Sequence, residues 1–429
     1  MFLGNYLRWP VSRDVRRIRF RVIEPSHYEP EAHAAIFNAV LQDLISAPVE
    51  PLDPFADKIS FGPVGEDCDL VTFPEAFLAA EDLLSTLSML ERWNAPTACI
   101  HVGLRPSAEN ESHLFSFAQL STLTQDLEAR SEIVRADLTA FRKWLAQQRA
   151  GFHFNIACVF AMDAESRLRM CLHPKLVRSK FERSPLPEED LAEGNLLTLI
   201  TLDPVKKTLM TVTVQPLICS DALNTGTDLG EDPPLRAVNR SADCFGTMPP
   251  DHVDIVSVAT CSPQQEGETL HQRAWHDQFL EAFLATQSGD LPRHNFASFV
   301  LSNFLHVPTA SQPNKAKGAG LSGVFMPIGC DQRHLHDEVA IFHRVKKSGE
   351  QERWTRPHDE VDKDARKLKF LAALKPSSAD FSVRIFGFTM DRLPRDNPIS
   401  EEFPKGLVHC SVRTATRKEG GILEFSHGV

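Results

Sequence analysis

At 429 residues the chain has room for a sizeable core and, by the usual domain size, for two or three units. Hydrophobic residues make up 42% and charged residues 24%, an ordinary balance for a soluble globular protein, and no window approaches the ~20 apolar residues of a membrane span. The formal net charge of −11 argues against a general nucleic-acid or anionic-membrane surface. The N-terminal stretch Met1-Phe-Leu-Gly-Asn-Tyr-Leu-Arg-Trp-Pro10 lacks the long apolar segment of a signal peptide. Nine cysteines, an odd number without a repeating spacing, suit reduced thiols better than a disulfide framework. A cytoplasmic location is the expectation.

Taken in order, residues 15–24 alternate basic and apolar side chains and are expected to form a strand, so the basic run Arg13–Arg21 reads as a solvated strand face. A helix is expected over 30–46, with Ile36, Val40 and Leu44 at helical spacing, followed by a Pro-rich loop over 48–63. Cys68–Phe73 is a short strand stopped by Pro74, which leaves Glu75 at a strand end. A helix carrying Leu83, Leu87 and Leu90 follows, then a buried strand Ala98–Gly103 and a long helical pattern over about 115–150. Phe154–Ala161 and Arg167–Leu172 form a hairpin, with Lys175 just beyond it. A second hairpin, Leu196–Leu202 with Thr208–Leu217, ends at Cys219.

The stretch 224–251 shows no periodicity. Strand character resumes over Val253–Ala259, a helix is expected over about 270–287, and further strands over Phe296–Asn303, Gly323–Pro327 and Val339–Val345. Residues 346–369 are highly charged and precede strand-like Phe381–Met390 and Leu407–Thr414, the latter turning around Arg417–Gly421. We therefore expect a main unit over 15–345 and a C-terminal β-containing extension over 346–429. Interleaved strands and helices make the main unit α/β, and its hairpins make the sheet mixed.

Thr213-Val-Gln-Pro-Leu-Ile-Cys219-Ser-Asp221 delivers a thiol at the point where a buried strand turns away. Attack by a thiol needs its thiolate, and a free cysteine holds little of it at neutral pH. A carboxylate can take the proton and return it to a leaving amine. An ammonium favours the thiolate and binds the oxyanion of a tetrahedral intermediate. Glu75 and Lys175 each follow a strand and precede a turn, so both are candidates to meet Cys219 at one sheet rim. The backbone N–H of Ser220 is a second candidate oxyanion donor.

Val71-Thr-Phe-Pro-Glu75, Lys175 after a hairpin, and Leu217-Ile-Cys-Ser-Asp221 together resemble the nitrilase, or carbon–nitrogen hydrolase, superfamily with its Glu–Lys–Cys triad. Asp254–Ala259, Leu301-Ser-Asn303 and Gly320–Pro327 resemble its supporting stretches, and the likeness spans about 15–345. The resemblance implies a four-layer αββα sandwich, usually dimerised or further oligomerised through an extended sheet stack. It implies hydrolysis of a non-peptide C–N bond in a small amide, nitrile or N-carbamoyl substrate, with no metal or organic cofactor required. It assigns the nucleophile to Cys219, oxyanion stabilisation to Lys175 and proton transfer to Glu75. An auxiliary glutamate is expected at Glu182, with Glu188 and Glu189 as weaker matches. Ser220 stands where the family often has an aromatic residue, and residues 346–429 match no part of the pattern.

Blander readings stand beside these. A lone Cys219 is a buried thiol, a lone Glu75 a helix-start carboxylate, and Lys175 a solvated loop charge. Glu182 sits among Arg178, Lys180 and Arg183, any of which can pair with it on the surface. Cys330-Asp-Gln-Arg-His334-Leu-His336-Asp337 has ligand types but no second cluster at zinc spacing, so solvated loop residues are the better reading. Cys261 ends a strand without an upstream lysine and glutamate in matching order and reads as structural. Two other functions compete: a non-catalytic binding or regulatory protein that keeps the fold, and acyl transfer to an amine through the same thioester.

Overall fold

The computed structural model describes residues 2–11, 17–46, 70–90, 99–109, 112–178, 191–205, 211–222, 234–240, 245, 250–261, 291–294, 297–309, 312–318, 322–326, 339–345, 353–355, 370–374, 381–391, 407–417 and 423–425. The chain is mixed α/β, with two nine-stranded sheets and few helices among these residues. In the first sheet the spatial order is Leu3–Val11, Leu196–Pro204, Val212–Ile218, Ile255–Ala259, Ser298–Ser302, Gly323–Met326, Phe370–Leu374, Val339–Val345 and Arg353–Thr355. In the second it is Leu423–Phe425, Leu407–Arg417, Val383–Asp391, Arg17–Pro25, Leu70–Thr72, Cys99–Arg105, Ile156–Met162 and Leu168–Pro174, with Leu78–Ala79 paired beside Cys99–Arg105. Both sheets mix parallel and antiparallel pairs, as the hairpins in the sequence require.

The central strands read as nearly continuous apolar runs because both of their faces are covered. Trp9, Val22, Leu70, Val159, Val214, Ile255 and Val300, drawn from both sheets, form one buried cluster where the sheets face each other. The opposite face of the second sheet, with Ile23, Val71, Ile100, Val102 and Phe160, packs against α1 (Pro30–Ser46), α2 (Ala80–Leu90), α3 (Phe117–Ala129) and α4 (Thr139–Leu145). On the far face of the first sheet, Leu199, Leu217, Val256, Val258 and Phe299 pack against Leu235 and Val238 of α5 (Pro234–Arg240). The alternation decides the faces: within Val212–Ile218, Val212 and Val214 point to the sheet interface while Leu217 points to α5.

Several elements depart from the sequence expectation. The 115–150 pattern is not one helix. α3 opens with a capping box, Ser116 Oγ accepting from the Gln119 N–H at 3.3 Å and Gln119 Oε1 from the Ser116 N–H at 2.8 Å. It ends at Ala129 because the chain then bonds the hairpin instead, through Val134 N–H to Leu168 O (3.0 Å) and Leu168 N–H to Glu132 O (3.2 Å). α4 begins only after a 3₁₀ turn over Arg135–Leu138. Leu3–Val11, outside the expected domain, is a full strand parallel to Leu196–Pro204. The stretch between Asn303 and Gly323, for which no strand is expected, contains the hairpin His306–Thr309 with Gln312–Gly318, and α5 lies within the stretch that shows no periodicity.

The expected division near 346 does not mark a packing boundary. Val383–Asp391 runs antiparallel to Arg17–Pro25 along its whole length, and Phe370–Leu374 sits between Gly323–Met326 and Val339–Val345. A buried ion pair fixes the first of these seams: Arg384 donates through both Nε, at 2.9 Å, and Nη2 to Glu24 Oε1. The expected helix at 270–287 and the Cys330–Asp337 cluster lie outside the described residues.

Candidate functional site

The site is built at strand ends. Past Leu70–Thr72 the chain continues through Pro74 beside Cys99–Arg105, with Gly103 N–H bonded to Pro74 O at 3.1 Å and Phe77 N–H to Gly103 O at 2.9 Å. A left-handed Ala76 (φ 53°) turns the chain directly after Glu75. Gly103 permits this approach, because a Cβ there would lie 2.4 Å from Ala76 N and 2.5 Å from Glu75 Cα. The Glu75 N–H reaches across to the first sheet, at 3.2 Å from Thr260 O.

Lys175 follows Leu168–Pro174, and its backbone is held by Asn155 O (2.8 Å) and by Gly194 N–H (2.8 Å). Its ammonium lies 2.7 Å from Glu75 Oε1, although a hundred residues separate the two. Asn155 Nδ2 donates to the same oxygen at 2.6 Å, and the Cys261 N–H donates to Oε2 at 3.1 Å. Glu75 and Lys175 are both almost fully buried, at 4% and 1% exposure. Three donors thus stand in for water around this buried carboxylate.

Cys219 opens a 3₁₀ turn, Cys219–Ala222, directly after Val212–Ile218, and takes a left-handed conformation with φ 44°. A non-glycine residue held there costs on the order of 1–2 kcal/mol. It is 8% exposed and packs with Ala157 and Ile218 at the rim between the sheets. Two neighbours tie this turn to the lysine's chain. Asp221 Oδ1 accepts from the N–H groups of Leu176 and Val177, both at 2.8 Å, and Oδ2 from Ile218 N–H at 3.1 Å, while the Ser220 hydroxyl donates to Val177 O. Burial pushes the Asp221 carboxyl up to about 8, against the downward pull of Lys175 and of the three amides.

Polar groups continue beneath and beside this cluster. Two residues back along their strands, His101 and His173 meet Nε2 to Nε2 at 3.2 Å, and His101 Nδ1 contacts Ser257 Oγ at 2.9 Å. Thr72 Oγ1 closes the row on Ser257 at 2.9 Å. Burial holds both imidazoles well below their ordinary value, His173 at about 3, so the layer is neutral. To the side, buried Arg105 donates to the Tyr28 hydroxyl at 3.0 Å. Burial raises that hydroxyl, Cys261 and Glu75 add to the rise, and Arg105 opposes it.

The structure thus brings Glu75 and Lys175 into contact and stitches the Cys219–Ser220 turn to the residues after Lys175. Glu182, Glu188 and Glu189 lie outside the described residues, as do 223–233 and 262–290, which follow the Cys219 turn and Cys261. Sequence reasoning missed three participants. Asn155 carried a signal, being a lone amide at the head of the apolar run Phe154–Ala161. Asp221, two residues past the cysteine, carried one too. The contribution of Cys261 is a backbone N–H, to which side-chain motifs are blind. Among the described residues no group of three or more His, Cys, Asp or Glu is arranged to hold a metal ion, and no helix is long and apolar enough to cross a membrane. In comparisons with known proteins, no family model, no curated protein and no solved structure matches the chain.

Proposed function

We propose that the chain is a cysteine-dependent hydrolase of a non-peptide carbon–nitrogen bond, of the nitrilase type, acting on a small amide, nitrile or N-carbamoyl compound. One observation carries this reading: Glu75 and Lys175, remote in sequence, form a buried pair at 2.7 Å beside the segment bonded to the Cys219 turn. The packing supports the corresponding four-layer αββα arrangement, with α1 to α4 outside the second sheet and α5 outside the first.

In this mechanism Cys219 Sγ gives its proton to Glu75 and bonds the substrate carbon. The Lys175 ammonium and the Ser220 N–H hold the oxyanion. With an amide or N-carbamoyl substrate, collapse of the intermediate breaks the C–N bond and Glu75 returns the proton to the departing ammonia or amine, whereas a nitrile takes that proton on nitrogen to give a thioimidate, to which water adds before ammonia leaves. A water molecule, deprotonated by Glu75, then cleaves the thioester and releases an acid and the free thiol. Asn155 and the Cys261 N–H hold the carboxylate in place beside the lysine. Buried in this way, the base is not drawn off by solvent.

Intact mass after brief exposure to a small electrophile at neutral pH tests the reading. One adduct is expected, absent from Cys219→Ala, and an ammonia-release screen across amides, nitriles and ureido acids should give turnover. Folded protein with no adduct and no turnover would instead support a binding protein that keeps the fold.

A further inference from the structure

We infer that Asp221 is a positioning residue that locks the chain bearing Lys175 to the turn bearing Cys219, so that ammonium and thiol keep one fixed separation. The inference rests on the cysteine hydrolase reading above. Its geometry is specific. One fully buried carboxylate accepts three backbone N–H groups, two from the residues just after Lys175 and one from the residue just before Cys219. The Ser220 hydroxyl returns a bond to Val177 O, so the two segments are stitched in both directions. Without these bonds, no strand ladder among the described residues spans the gap: Leu168–Pro174 belongs to the second sheet and Val212–Ile218 to the first.

The lock also explains how the left-handed Cys219 is held. The strand delivers Ile218, and the φ of 44° then swings the chain so that Asp221 Oδ2 meets the Ile218 N–H. The bond closes across the strained residue itself. A carboxylate suits this position better than an amide, because both of its oxygens accept. An asparagine offers one acceptor and serves either the Leu176–Val177 pair or Ile218, but not all three.

The test is the alkylation rate of Cys219 by iodoacetamide as a function of pH, on folded full-length protein. For Asp221→Ala we expect a rate at neutral pH about tenfold or more below wild type and a reactivity midpoint about one unit higher, because the ammonium no longer stays beside the thiol. Asp221→Asn should fall between. A variant that is alkylated faster than wild type overturns the inference. Folded variants with wild-type rate and midpoint overturn it as well. Loss of fold in both variants would assign the carboxylate to stability alone, and that too overturns the positioning role. If wild-type Cys219 is itself unreactive and indifferent to Lys175→Met, the hydrolase reading fails instead, which separates the two failures.

Discussion

Among the described residues two almost fully buried carboxylate–cation pairs cross the second sheet or its rim, and they differ in where they sit. Glu24 and Arg384 are direct partners within the ladder of Arg17–Pro25 and Val383–Asp391, and the planar guanidinium grips one carboxylate oxygen through two nitrogens. Glu75 and Lys175 lie beyond the last ladder pairs, after Pro74 and Pro174, where single backbone bonds to Thr260, Asn155 and Gly194 replace the continuous ladder. The first pair is fixed by its strands and fixes them in return. The second is held from outside, by Asn155 and by single N–H groups, and the ammonium contact with Glu75 can be exchanged for a substrate oxygen. Burial is the same in both; reach to a reacting group is not.

Removal of one partner from each pair should separate stability from chemistry. Arg384→Met removes the guanidinium from buried Glu24 and should cost about 3–5 kcal/mol in urea unfolding, while the Cys219 alkylation rate of the folded protein stays at wild type. The double variant Glu24→Leu with Arg384→Met should recover most of that loss. Lys175→Met should do the reverse. Glu75 keeps two donors, so destabilisation stays near 1–3 kcal/mol, but alkylation and turnover should fall ~10²-fold or more. Equal effects of the two substitutions on reactivity would erase the distinction.

Gly103→Ala is a finer probe, because it touches the Glu75 backbone and neither charge. The added methyl meets Ala76 N and Glu75 Cα well inside contact distance, so the segment must shift, at about 1–3 kcal/mol by analogy with overpacked cores. Turnover should fall by more than the stability loss predicts.

The smallest expected effect is that of mild acid. His33, His173 and His294 are held near 3 and His101 well below its ordinary value, so each stays neutral when folded but takes up a proton when unfolded below about pH 6.5. These groups contribute stability that is lost as pH falls through that window. Asp221, raised to about 8, works the other way, since the folded state keeps its proton as pH rises from the ordinary carboxylate range. The four histidines outweigh it, and acidification from pH 7 to pH 6 should cost about 1 kcal/mol, growing steeply below. Conversion of His101 and His173 together to apolar residues should flatten that slope without altering the response to Arg384→Met.

Much of this arrangement was readable before any coordinates. Alternating and continuous apolar runs located the strands around Glu75, Lys175 and Cys219, and Pro74 marked where the first of them stops. Contacts made by main-chain atoms were not readable. The Cys261 N–H and the amides that face Asp221 have no residue-type signature, and they supply half the framework of the site. The tail misled for a different reason. The charged run over 346–369 looks like a linker, yet the strands beyond it complete both sheets, because pairing partners are chosen by exposed edges and not by closeness in sequence. The α3 break shows the same competition at short range, where backbone bonds to Leu168 win over helical propensity.

That late completion bears on how the protein is made. Arg17–Pro25 leaves the ribosome some 360 residues before its partner Val383–Asp391, and Leu3–Val11 likewise waits for Leu196–Pro204. Until then each exposes a bare strand edge with an apolar face, the kind of surface that invites intermolecular pairing. Such remote pairing makes folding slow, and a nascent chain stopped short of residue 383 should depend on chaperones to stay out of aggregates.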